Sequence, residues 1–100
     1  MNGPPAPSQM KALRREGRQL GVSASVGKAG MTDAVAAQVA WLLEHHQLVK
    51  VRLPAAQKAQ RVEMAEKLAA RTGAAVVDLV GRMVVLYRPP SAIPSRRSGG

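Results

Sequence analysis

Val22-Ser-Ala-Ser-Val-Gly-Lys-Ala-Gly-Met-Thr32 is the stretch on which the architecture turns. Val22, Ala24 and Val26 alternate with Ser23 and Ser25, the period of two expected of a short strand. Two glycines then bracket Lys28 and Ala29. After Met31, Thr32 is placed to N-cap a helix running to about His46, with Val35, Val39, Leu42 and Leu43 as its apolar face. A strand that leaves its sheet into a helix returns by a crossover, so the local order already asks for parallel pairing.

Reading outward, Leu48 to Leu53 is a second strand, with Val49, Val51 and Leu53 on one side and Leu48, Lys50 and Arg52 on the other. Pro54 ends it. Residues 54–57 form a loop, and a third helix then runs to about Thr72 on a stripe of Val62, Ala65, Leu68 and Ala69, closed by Gly73. Val76 to Val80 and Met83 to Arg88 are two apolar strands joined by Gly81-Arg82, a Gly-first two-residue link that signals a II′ hairpin. Pro89-Pro90 stops the sheet. Upstream, Ser8 to Leu20 has helical spacing at Met10, Leu13, Gly17 and Leu20, with Ser8 as the expected N-cap after Pro7. Gly17 costs about 1 kcal/mol in a helix interior. Its place on the apolar face implies close packing or an early helix end. The expected fold class is α/β in the mixed, α+β sense: helix-strand-helix-strand-helix-strand-strand, a four-stranded mixed sheet packed with helices.

One hundred residues make at most one domain. Residues 1–7 and 91–100 are rich in Pro, Gly and Ser and are expected to be a disordered arm and a disordered basic tail around a domain at 8–90. No Cys is present, which excludes a disulfide framework and Cys-ligated zinc. No apolar run is long enough to span a bilayer and no signal-peptide pattern appears, so a cytoplasmic protein without a membrane role is expected. Fifteen Lys/Arg against six Asp/Glu give +9; without Arg96 and Arg97, thirteen against six leave +7 on residues 8–90. So basic a domain points to a polyanionic partner, nucleic acid or ribosome first, with surplus charge for solubility as the plain alternative. Trp41 and Tyr87 are the only aromatics, so a base-stacking sheet platform cannot be built. RNA would have to be gripped by backbone and shape.

Three sets of candidate residues follow. Gly27, Lys28, Ala29 and Gly30 lie between a strand and a helix start, where flexible backbone, free N–H groups and one ammonium can meet a phosphate. The spacing matches neither the P-loop nor the dinucleotide fingerprint. Lys11, Arg14, Arg15 and Arg18 form one continuous basic stripe on the first helix, and mutual repulsion on that face calls for an anion. The third helix, where Glu63 and Glu66 are mixed with Lys58, Arg61, Lys67 and Arg71, has no such surplus. Lys50 and Arg52, together with Arg82 and Arg88, are expected to line whichever sheet face is open, although alternation on a half-exposed sheet accounts for them equally well. His45-His46 completes no metal set and suits a helix C-terminus, so no metal and no cofactor are expected. Trp41 is read as covering a gap against the first helix or the N-terminal arm, with base or partner contact as the alternative. No nucleophile–base pair or convergent carboxylates occur, so an enzyme is not expected.

VGKAGMTDAVAAQV, LEHHQLVKVRL and RTGAAVVDLVGRMVVLYRPP, in that order, resemble the CRM-domain family, whose stand-alone bacterial members are called YhbY-like. The resemblance rests on the GKxG loop with its Met-Thr-acidic helix start, the EHHxLVKV passage and the TGA…VGxxxVLYRP ending, and covers most of residues 8–90. It implies a mixed four-stranded sheet with helices, related to the C-terminal domain of translation initiation factor three. It also implies RNA binding with Gly27, Lys28, Ala29 and Gly30 as part of the surface. For a single-domain member it implies association with precursors of the large ribosomal subunit rather than intron splicing. The chain departs from the family pattern at Ala29, where a polar residue such as Asn is common, and at Trp41, in a helix position usually small. The expected partner is RNA, ribosomal RNA or a pre-large-subunit particle, bound by a monomer. The alternative is a protein-interaction adaptor that docks an acidic partner through its basic surface and Trp41.

Overall fold

The computed structural model describes residues 5–89. Seven elements follow in order: α1 (Pro7–Gln19), β1 (Ala24–Ser25), α2 (Asp33–His46), β2 (Leu48–Arg52), α3 (Lys58–Thr72), β3 (Ala75–Val80) and β4 (Met83–Tyr87). The four strands form one mixed sheet in the order β1-β2-β4-β3. β1 runs parallel to β2, and β4 pairs antiparallel with both β2 and β3. The β2–α3–β3 connection therefore steps over the position that β4 fills. The expected architecture is the observed one; residues 1–4 of the expected arm and all of the expected tail at 91–100 lie outside the described residues, and Pro7, assigned to the arm, belongs to α1.

Alternation along β2 and β4 divides the sheet into two faces. Val49, Val51, Val84 and Leu86 point to one side, where Val39 and Leu43 of α2 and Ala65, Leu68 and Ala69 of α3 close over them in the main core. Leu48 and Val85 point to the other, where Leu13 of α1 and Val77 join them in a smaller cluster with Met10, Leu20 and Tyr87 at its margin. Gly17 permits that second contact. A Cβ there would lie 2.9 Å from a methyl of Val85, so α1 backbone rests directly on the sheet. Close packing, not an early helix end, is the reason for the glycine.

Local chemistry sets the element ends. Thr32 caps α2 by accepting from Val35 N at 3.2 Å. Gly73 ends α3 with φ +70. Gly81 has φ +59 while Arg82 stays out of the positive region, the combination a II′ turn requires. At α1 the expectation fails: Ser8 lies inside the helix, Pro7 takes the first helical position and Ala6 is the cap residue with no side-chain bond. Pro prevails because its preset φ suits that position and its missing N–H is one the helix leaves unpaired there. β1 is shorter than expected. It is an edge strand with a single neighbour, and Val22 is exposed.

Candidate nucleic-acid interface

Residues 27–30 close a tight turn in which Gly30 N donates to Gly27 O at 2.9 Å. Lys28 and Ala29 occupy its centre without positive φ, and the glycine at the fourth position fits a type I turn. Gly30 has φ +83, a conformation that other residues adopt at a cost; Gly27 does not, and a Cβ on either would meet nothing within 4 Å. The loop is thus open to an incoming backbone. Its helix-dipole contribution is weaker than the sequence implied. Thr32 already occupies one free N–H, and Asp33, in the first turn of α2, places a carboxylate at the same helix end, paired with Arg71.

The loop sits at the sheet end where β1 and β2 finish and the β3–β4 hairpin turns. Val26 N donates to Arg52 O, Leu53 N to Arg82 O and Arg82 Nε back to Leu53 O at 3.0 Å, so hairpin tip and strand end are locked together. Between the loop and α3 opens a groove of about 780 Å³, lined by Gly27, Lys28 and Gly30 on one wall and by Gln60, Glu63 and Lys67 on the other, with Arg82 also in its lining. α3, unremarkable by charge in the sequence, thus supplies one wall of the loop's groove. The spacing of Gln60, Glu63, Met64 and Lys67 on one helical face was the available signal, but only the fold shows what that face meets.

The basic stripe lies elsewhere. Lys11, Arg14, Arg15 and Arg18 line a separate concavity along α1 with Pro7, of about 430 Å³. The structure therefore does not bring the stripe and the glycine loop into one groove. Lys50 and Arg52 fall between them, on the sheet face that α1 leaves partly open, with Lys50 half-buried and Arg52 exposed. Lys50 shares a smaller hollow with Arg18, and the carbonyl of Arg52 receives Val26 N at the foot of the loop.

Two cations change role. Arg14 donates from Nε to Val77 O at 3.0 Å, so one member of the stripe pins α1 to β3. Arg88 does not line an open face: it donates to Thr72 O at 2.9 Å and lies 3.8 Å from Glu44, tying the end of β4 to α3 and α2. On the α2–α3 side Lys67 pairs with Glu63 at 3.5 Å, Arg71 with Asp33, and Arg61 donates to Gly81 O at 2.7 Å. Among the described residues, Lys11, Arg15, Arg18, Lys28, Lys50 and Arg52 have neither a carboxylate within 4.0 Å nor a side-chain hydrogen bond to a carbonyl; on α3 only Lys58 is in the same position, since Arg61 is held by Gly81 O.

Trp41 covers no gap. It is 56 % exposed and its ring stacks on His45 at a centroid distance of 4.0 Å. His45 in turn donates from Nδ1 to Trp41 O at 2.8 Å, one turn back along α2 rather than to one of the helix's last carbonyls.

Fold and surface together define a small basic α+β domain with helices on both faces of a mixed sheet and a glycine-bracketed loop at one sheet end. The model of the CRS1/YhbY (CRM) domain matches residues 6–88, and the chain belongs to that family. A Haemophilus influenzae protein named an RNA-binding protein is 31% identical over 81 residues, covering 81% of this chain and 82% of its own. A Pseudomonas aeruginosa protein named a probable RNA-binding protein is 30% identical over 80 residues, 80% of this chain and 77% of its own. The solution structure of a hypothetical protein from Staphylococcus aureus, described as a candidate RNA-binding protein, superimposes with a TM-score of 0.75 at 28% identity, covering 82% of this chain and 85% of that one.

Proposed function

We propose that this chain binds RNA, holding the phosphate backbone with Lys11, Arg15 and Arg18 on α1, Arg52 on β2 and the Gly27–Gly30 loop with Lys28, and contacting the RNA also through the half-buried Lys50 of β2. We further propose that its target is ribosomal RNA within a precursor of the large subunit. One observation carries the reading: these cations are left without internal partners, while those packed around α2 and α3 are mostly engaged by carboxylates or carbonyls. Surface charge held apart from its own counter-charges raises the potential where a polyanion would lie. The relatives named as RNA-binding proteins support the same direction. Of the contacts, Arg15 and Arg18 are presented by a folded helix, so little further ordering is needed on binding.

The exposed Trp41–His45 stack favours a second reading, an adaptor that docks an acidic protein. Sedimentation of a cell lysate with and without ribonuclease separates the two. Under the RNA reading the protein travels with large-subunit particles and leaves them after ribonuclease. Co-sedimentation that survives ribonuclease, lost on Trp41→Ala, supports the adaptor instead.

A further inference from the structure

The partly open sheet face carries a feature that phosphate binding alone does not explain. The register places Lys50, Val85 and Asp78 in one row across β2, β4 and β3. β3 is irregular between Val76 and Asp78, and Val77 joins the α1-side cluster while Asp78 stands opposite Val85. A hollow of about 280 Å³ opens over this row, with Gly17 and Val85 among its walls and Met83 and Val80 toward the hairpin. Val80 is 64% exposed, an apolar lip on a face otherwise rich in cations.

Lys50 and Asp78 share the hollow but do not pair: no bond of 4.0 Å or less joins them. They stand two strands apart, so their backbones are separated by roughly 10 Å at the usual strand spacing. A half-buried ammonium and a half-buried carboxylate are thus held apart over an apolar floor. Asp78 Oδ1 accepts from Leu79 N at 3.0 Å, which fixes the carboxylate and leaves Oδ2 free. On a face that binds phosphate, a fixed carboxylate repels the ligand. It helps only if it accepts hydrogen bonds that a nucleobase can donate.

We propose that this hollow takes one unpaired base of the bound RNA and selects guanine. Guanine's Watson–Crick edge presents N1–H and the 2-amino group side by side, which match two carboxylate oxygens. The adjacent O6 accepts from Lys50 Nζ. The ring lies against Met83 and Val80, with its inner edge toward the wall that Gly17 and the buried Val85 form. Arg18, also at the hollow, is placed to hold the nucleotide's phosphate. Single-base pockets are smaller than the roughly 300–1,000 Å³ clefts that hold drug-sized ligands, and this volume fits one base. The proposal rests on the RNA-binding reading above and names the residues that would give it sequence preference.

The test uses the full chain and short single-stranded uridine oligonucleotides carrying one central guanosine, inosine, adenosine or cytidine, titrated at one salt concentration. The guanosine oligonucleotide is expected to bind about tenfold more tightly than the others, including inosine, which lacks only the 2-amino group. Asp78→Asn turns Oδ2 into a donor that faces the base donors; it should remove the guanosine preference while the other oligonucleotides bind as well or better, because a repelling charge is gone. Lys50→Met should narrow the gap between guanosine and adenosine, because the O6 acceptor that only the former presents loses its donor; it should leave the guanosine–inosine gap, which the 2-amino group sets, unchanged and lower binding to all four. A thermal melt of each variant checks folding. Binding of all four oligonucleotides with no preference overturns the pocket but leaves RNA binding in place. So does a preference unchanged by Asp78→Asn, or one for a different base. Failure to bind any of them overturns the RNA reading itself.

Discussion

The two faces of the sheet are built to different standards. Toward α2 and α3, two helices close over Val49, Val51, Val84 and Leu86, and Leu43, Leu68 and Leu86 are sealed from solvent. Toward α1, one helix, through its own Leu13, covers three buried sheet residues and leaves Lys50, Arg52 and Val80 with part or most of their surface open. The charges divide the same way. Arg61, Arg71 and Arg88 fasten elements on the first side, whereas among the described cations of α1 and β2 on the second only Arg14 has an internal partner. One face is the foundation of the fold and the other is a surface held ready by it. Stability and ligand affinity should therefore respond to different sets of substitutions.

The largest expected effect is on the closed side. Leu68→Ala should lower unfolding free energy by about 2–5 kcal/mol, because Leu68 has no exposed surface and its cavity cannot fill with water. Leu13→Ala, under the single helix α1 and 9% exposed, should fall at or below the low end of that range. Denaturant titration of both variants makes the comparison; equal losses would mean that α1 seals its face as well as α2 and α3 seal theirs.

Arginines sharpen it next. Arg88→Ala should cost about 1–3 kcal/mol, since its side chain is 18% exposed and Thr72 O loses a charged donor. Arg15→Ala should stay within about 0.5 kcal/mol of the parent, as expected for an exposed residue without partners. A thermal or denaturant melt in which Arg15→Ala is the more damaging would reverse the assignment of the two faces.

A smaller effect distinguishes the loop glycines. Gly30→Ala should lose about 1 kcal/mol from its φ of +83, while Gly27→Ala should leave stability unchanged because its Cβ enters open space. Gly27→Ala should nevertheless weaken RNA binding, as a methyl group stands where phosphate must approach. Normal binding by Gly27→Ala would take the loop backbone out of the interface and leave α1 to carry it.

What could be read from the sequence was what neighbours dictate. Periodicity marked all seven elements and Thr32 and Gly73 two of the helix ends, whereas Gly17 on an apolar face was compatible with close packing or an early helix end, and only its contact with Val85 decides between them. Long-range capture was not legible. Arg14 and Val77 are 63 residues apart, and no pattern on α1 separates Arg14 from Arg15 or Arg18. Arg88 looked like one more cation on a strand until the end of α3 presented it with a carbonyl. The irregularity in β3 hid Asp78 as well: strict alternation would have assigned Val77 and Asp78 to opposite faces. The candidate loop and stripe were legible as separate features, but their separation in space, with β2 between them, depends on the strand order.

The central claim is that the unpaired cations of α1, β2 and the loop meet phosphates, and its most direct measurement is the salt dependence of RNA affinity. On single-stranded RNA each phosphate contact contributes about −0.7 to the slope of log affinity against log salt, so Lys11, Arg15, Arg18, Lys28 and Arg52 together give about −3.5. The Arg15→Ala, Arg18→Ala double variant should reduce this to about −2.1, while Arg96→Ala with Arg97→Ala, the same loss of charge, should leave it near the parent value. A parent slope near zero, or equal losses from the two pairs, would contradict the account.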